Sequence, residues 1–218
     1  MQLWANWLEA LQFALEFFSS ALGVSAGVAI VLLTLSLRLA LLPVSWSSTY
    51  LGCIHQKRLR KLQPELQRLK AQFGKDPAVL AEKTLKLYRD RNLSFVEWRT
   101  FLGTLAQMPV LLGIFQVLRA GAGAGRFLWA SSLARPDLWL AITAGITTAL
   151  MVAANPDLPE QTRMIMMVFP SIIAIVFALN FASALAVYWI TSNIFTAVQT
   201  AAVHLVVGQR IRSGIIAL

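Results

Sequence analysis

The sequence predicts an all-α membrane protein: a five-transmembrane-helix bundle with a cytoplasmic helical hairpin and an N-terminal interfacial helix. Three observations carry that expectation. The chain of 218 residues is 57% hydrophobic and only 13% charged, with a mean hydropathy of +0.65. A water-soluble chain of this size cannot cover so much apolar surface. The apolar stretches are long and show no period-2 alternation, which favours spanning helices over a closed barrel. The net charge of +9 is concentrated, because twelve of the 19 Lys/Arg fall between Lys57 and Arg99. A basic balance also fits nucleic acid, but the apolar remainder makes a cytoplasmic loop the better reading, with no nucleic acid as specific ligand.

Residues 1–20 carry Trp4, Trp7, Leu8, Leu11 and Leu15 on one helical face, with Glu9 and Glu16 elsewhere. Such an aromatic-rich amphipathic helix suits the headgroup boundary. It lacks the basic start and small-residue cleavage site of a secretory signal. The first span covers residues 21–45 and stops near Pro43, with Trp46 and Tyr50 following at the interface. Residues 46–98 are polar and helical. Leu59, Leu62, Leu66, Leu69 and Phe73 step by alternating threes and fours, a heptad seam. Gly74 to Pro77 signals a turn and a new helix start, so this segment reads as a hairpin. Further spans are expected at 99–119, 138–154, 163–180 and 184–207. They are joined by an outer loop at 120–137 and a cytoplasmic turn at 155–162, and a tail at 208–218 follows.

Charge sets the orientation. With the hairpin, the 155–163 turn and the tail on one side, that side carries Lys57 through Arg99, Arg163, Arg210 and Arg212, fifteen Lys/Arg in all, and the other carries Arg119, Arg126 and Arg135. The richer side is cytoplasmic. The N-terminus is then outside and the C-terminus inside a bacterial-type inner membrane.

Arg38 is the informative residue. An arginine in mid-span costs about 2.5–3.5 kcal/mol on insertion scales and usually faces protein or water. Thr34 lies one turn earlier on the same face. Two placements satisfy the spacing: a wet cavity within the bundle, or snorkelling past Pro43 to the headgroups. Thr104 and Gln107, Thr143, Thr147 and Thr148, and Thr191, Ser192, Asn193 and Gln199 recur in the later spans. They serve either helix packing or one polar concave surface. All ten acids lie outside the five spans, so paired intramembrane aspartates are absent. No Walker loop, dinucleotide fingerprint or Ser/His/Asp spacing occurs, and no enzyme activity, cofactor or metal is expected. His55 and His204 read as surface or packing residues. Cys53, with no partner nearby in sequence, reads as a small buried hydrophobe.

The ordered set of motifs resembles the YidC/Oxa1/Alb3 family of membrane protein insertases. Thr34 to Pro43, with Arg38 inside it, is similar to that family's first core helix. Gln56 to Leu66 resembles its cytoplasmic hairpin, and Gln107-Met108-Pro109 its next span. Phe127-Leu128-Trp129 with Pro136-Asp137 resembles the outer loop. Pro170, Asn180-Phe181, Tyr188-Trp189 and Ser192-Asn193 followed by Gln199 are similar to the last two spans. The coverage runs from about residue 20 to 205. Phe101, Gly103, Ala182 and Ala184 depart from the family pattern, as in a divergent short member. The resemblance implies a hydrophilic groove in which Arg38, Thr34, Gln107, Trp189, Tyr188, Ser192 and Asn193 meet client segments, without ATP hydrolysis. It implies client membrane proteins and the lipid bilayer as partners, with a ribosome or translocation channel as further candidates. A structural or assembly subunit of a larger membrane complex and a small anion transporter are the alternative classes.

Overall fold

The computed structural model describes residues 2–91, 93, 98–105, 107–121, 123–158 and 160–216. Pro159 and the side chains of Arg99, Phe101 and Thr104 lie outside the described residues. Among the described residues the fold is all helical: α1 (Gln2–Ala21), α2 (Ala26–Ala40), α3 (Leu42–Phe73), α4 (Pro77–Asp90), α5 (Trp98–Leu105), α6 (Met108–Arg119), α7 (Leu138–Ala153), α8 (Glu160–Asn180) and α9 (Ser183–Arg212).

Among the described residues two segments are long and apolar enough to cross a membrane, Arg163–Asn180 in α8 and Ser183–Arg212, which is α9. The pair α2 and α3 makes a third if taken as one span bent by 66°. Pro43 explains the bend. It sits in the first turn of α3, where its missing N–H costs no helical bond but its ring crowds the preceding turn. Helices α6 and α7 are apolar but shorter. Residues 99–119, expected as one helix, fall in two, α5 and α6. The break precedes Pro109, which occupies the first turn of α6 behind Gln107 as N-cap.

The apolar face of α1 turns inward. Leu11 and Leu15 are buried against α2 and α6 residues, among them Ile30 and Ile114. Trp4 Nε1 donates to Gln116 Oε1 and Trp7 Nε1 to the Pro109 carbonyl, each at 3.2 Å. Small residues let α7, α8 and α9 approach closely: Ala141, Ala144, Ala174, Ala178, Ala184 and Ala186 are all buried. Gly145 is required there, because a Cβ would stand 2.5 Å from Ile175 Cγ1. Gly27 is required likewise, since a Cβ would overlap the Phe127 ring.

Helices α3 and α4 fold back on each other through the Gly74–Asp76 turn. Asp76 caps α4, its Oδ1 accepting from the Ala78 and Val79 amides at 3.1 and 3.2 Å. Arg91 Nη2 meets Glu65 Oε1 at 2.7 Å across the pair. Leu62, on the heptad seam, is 5% exposed.

Asp137 caps α7 and gathers the preceding loop. Its Oδ1 accepts from the Leu140 amide at 2.9 Å and from Trp129 Nε1 at 3.1 Å. Partial desolvation opposes ionisation, but the Leu140, Trp129 and Trp139 hydrogen bonds outweigh it and hold the carboxyl below its ordinary value. Asp137→Ala is expected to lose about 1 kcal/mol of stability, the usual size of an N-cap. Because the folded pKa is depressed, that contribution is present above the unfolded aspartate pKa and disappears as pH falls through the folded one. Thermal unfolding of wild type and variant across acidic pH checks it: the two curves should converge at low pH.

Candidate functional site

A cavity of ≈ 200 Å³, lined by apolar side chains and by a cluster of polar ones, lies among α2, the start of α3, α6 and α9. The Thr34–Arg38 turn of α2 supplies one wall, and the residues from Tyr188 to Asn193 on α9 supply the facing wall. Gln107, at the break before Pro109, closes a third side together with Met108, Val110 and Leu111. All seven residues expected from the sequence line this one space.

Arg38 turns inward. Its Nε and Nη2 donate to Ser192 Oγ at 3.1 and 2.7 Å, and Nη1 donates to Gln107 Oε1 at 3.0 Å. These bonds place the guanidinium inside the cavity and not along a snorkelling path. Among the described residues no carboxylate pairs with it. The cavity thus holds a fixed positive charge that is hydrogen-bonded by neutral groups but not neutralised. In a medium of low dielectric such a charge acts strongly on any anionic group that enters.

The other lining residues divide by where their hydrogen bonds go. Thr34 Oγ1 donates to the Ile30 carbonyl at 2.7 Å and is 1% exposed, so its hydroxyl proton serves its own helix. Trp189 Nε1 donates to Thr148 Oγ1 at 3.2 Å. Asn193 lies beside both. With its amide oxygen toward Trp189 and Thr148 it accepts from Trp189 Nε1 at 3.1 Å and Thr148 Oγ1 at 2.9 Å, the orientation in which donors face acceptors. Trp189 is therefore held by a buried polar network shared with α7, while its ring meets Phe177 at 5.7 Å between centroids. Tyr188 is buried at 7% exposure and forms part of the same wall.

Two features escape sequence reading. Ser45, in the first turn of α3, lines the cavity and donates to Gln199 Oε1 at 3.3 Å, and Gln199 Nε2 donates to Thr49 Oγ1 at 3.2 Å. This extends the polar stripe of α9 toward α3. Farther along the same two helices, Cys53 does have a partner. Its Sγ lies 3.3 Å from His204 Nδ1, and His204 in turn lies 3.2 Å from Asp157 Oδ2. A separation of 151 residues between Cys53 and His204 leaves no local signal for such a cluster.

The exterior is the inverse of a soluble protein. Met164, Ile165, Phe169, Ile172 and Val176 of α8 are exposed, whereas Thr147, Thr148, Thr191, Ser192, Asn193 and Gln199 are buried. An apolar exterior around a core that includes a group of buried polar residues marks a helical membrane protein with polar groups at an internal site. Within that class, residues 17–209 match the family model described as 60Kd inner membrane protein, and the chain belongs to this family, that of YidC and Oxa1. It is 31% identical over 194 residues to "Membrane protein insertase YidC" of Clostridium tetani, covering 85% of this chain and 86% of the relative. It is 31% identical over 198 residues to "Membrane protein insertase MisCA" of Bacillus subtilis, covering 85% and 73%. Against "Membrane protein insertase YidC" of Thiobacillus denitrificans the identity is 33% over 185 residues, and the chain spans only 32% of that longer relative.

Proposed function

We propose that the protein is a membrane protein insertase that moves client transmembrane segments into the bilayer through a hydrophilic groove, without ATP hydrolysis and without covalent chemistry. The single observation that carries this reading is the Arg38 guanidinium, held in a cavity by Ser192 and Gln107 with no described carboxylate to neutralise it. The names of the relatives support it.

In this reading the five-helix bundle comprises the α2 span with the root of α3, the α5–α6 pair, α7, α8 and α9. The folded-back α3–α4 pair is the cytoplasmic hairpin, the N-terminus is outside, and α1 lies at the outer leaflet. The cavity opens to the cytoplasm and to lipid. A client's short, acidic polar segment enters it and exchanges water for Arg38, Gln107 and Ser192. It thereby avoids the cost of carrying unpaired polar groups through hydrocarbon. Trp189 and Tyr188 form the edge along which the client's apolar helix passes into lipid, and partitioning of that helix supplies the free energy.

Photocrosslinking tests the path. A photoreactive residue at Trp189 or Gln107 is expected to capture a single-span nascent chain during insertion, whereas one at outward-facing Ile165 of α8 captures lipid. Equal capture from all three positions, or none from Trp189 and Gln107, would sink the reading.

A further inference from the structure

Cys53 on α3, Asp157 in the α7–α8 turn and His204 on α9 present one ligand atom each, all within 4.8 Å of one another. Sγ to Nδ1 is 3.3 Å and Nδ1 to Oδ2 is 3.2 Å. Bonds of about 2.0–2.3 Å to a tetrahedral ion require ligand–ligand edges of about 3.3–3.8 Å, so this face already has nearly the right size. The donors are a thiol, an imidazole and a carboxylate, the set that suits zinc. The site is closed: Cys53 is 3% exposed, and the His204 and Asp157 side chains are 9% and 4% exposed. Asp157 Oδ2 is buried without a hydrogen bond of good geometry. It does meet one positive charge, the Lys57 ammonium at 2.8 Å. The pocket is therefore already built to hold a cation.

We propose that Cys53, Asp157 and His204 form a three-ligand site for a thiophilic divalent cation of the zinc class, and that the Lys57 ammonium occupies the same place when no metal is bound. This is independent of the groove reading. Binding converts the Cys53 thiol to a metal-bound thiolate; its proton leaves to water, the Lys57–Asp157 ion pair breaks, and no electron is transferred. Burial pushes the free thiol up to about 11, with Lys57 opposing and Asp157 reinforcing, so without metal the sulfur stays protonated and unreactive. The displaced ammonium has somewhere to go. A cavity of ≈ 560 Å³ beside it is lined by Lys57, Arg60, Lys61, Gly208, Ile211 and Arg212. The fourth coordination position falls to water or to that side of the pocket.

Cobalt(II) titration of the full chain in detergent micelles tests the proposal cleanly, because Cys53 is the sole cysteine of the chain. Thiolate-to-cobalt charge-transfer absorption is expected in the wild type, bleached by added zinc and absent in Cys53→Ser. His204→Ala is expected to weaken binding by at least about tenfold. Lys57→Ala is expected to tighten it by at least about tenfold, since a like charge no longer competes for the same carboxylate. Circular dichroism confirms that each variant is folded. No charge-transfer band in folded wild type overturns the proposal. So does a band seen only in Lys57→Ala, because the native ammonium would then exclude the metal. A band that survives Cys53→Ser overturns it as well.

Discussion

Arg38→Ala is expected to lower insertion of a single-span client with an acidic translocated tail by about ten- to hundredfold. The estimate follows from the interaction lost. A hydrogen bond to a charged group is worth about 1.5–3 kcal/mol, and each 1.4 kcal/mol is about tenfold. The guanidinium bridges two helices, reaching Ser192 on α9 and Gln107 before α6. Arg38→Lys keeps the charge but has no planar fork to span both partners. It should therefore fall between wild type and Arg38→Ala. A client with a neutral translocated tail should be affected less by either change, because Coulomb attraction is what the neutral tail lacks. The measurement is protease protection of the client in proteoliposomes containing each variant. Unchanged insertion in both variants would remove Arg38 from the mechanism. Full activity of the lysine variant beside a defective alanine variant would show that charge alone suffices.

Asp157→Ala is expected to be the most destabilising single change outside the core. The carboxylate gathers Lys57 at 2.8 Å, Arg60 at 3.3 Å and His204 at 3.2 Å, with its side chain only 4% exposed. Its removal leaves two cations facing each other beside a buried imidazole. Deleting one partner of a buried pair costs about 3–5 kcal/mol. Lys57 and Arg60 retain 20% and 61% exposure, so water relieves part of the penalty and the lower end applies. About 3 kcal/mol corresponds to a fall in melting temperature of roughly 6–12 °C for a chain of this size. Differential scanning fluorimetry in detergent reads it. Lys57→Ala should cost clearly less, because Arg60 and His204 still face the carboxylate. Equal losses for the two variants would mean that the carboxylate is not the centre of the cluster.

The sequence carries the helical stretches and half of the cavity lining, and the reason is periodicity. Thr34 and Arg38 share a face because they are one turn apart, and Tyr188, Trp189, Ser192 and Asn193 do so for the same reason. What spacing leaves open is direction. Arg38 lies close enough to Pro43 for either an inward or a headgroup placement, and the positions of Ser192 and Gln107, both distant in sequence, decide between them. The division of residues 99–119 into α5 and α6 was signalled by Pro109, yet an apolar run on both sides of it reads equally well as one helix. Nothing local marks the Cys53–Asp157–His204 cluster. Its members meet because the α7–α8 turn docks on α3, where Asn155 Nδ2 donates to Gln56 Oε1 at 2.8 Å and Asp157 reaches Lys57. A turn with a polar Asn-Pro-Asp sequence looks solvated until the helix it rests on is known.

The bend at Leu41 divides the molecule mechanically. Helix α3 is a rod of about 48 Å, taking 1.5 Å per residue, and its first half is fastened to α9. Thr49 is tied to Gln199, and Tyr50 accepts from Arg210 Nη1 at 2.9 Å with the guanidinium 5.4 Å from its ring. A force applied at the far tip, near Phe73, becomes a torque that α9 absorbs through these ties. The 66° corner interrupts the straight path from α3 into α2. The arginine wall is thus reached through α9, whose Ser192 holds Arg38, and not along the backbone from α3. Whatever docks on those helices is felt through Ser45 and Gln199, on the opposite side of the hinge from Arg38.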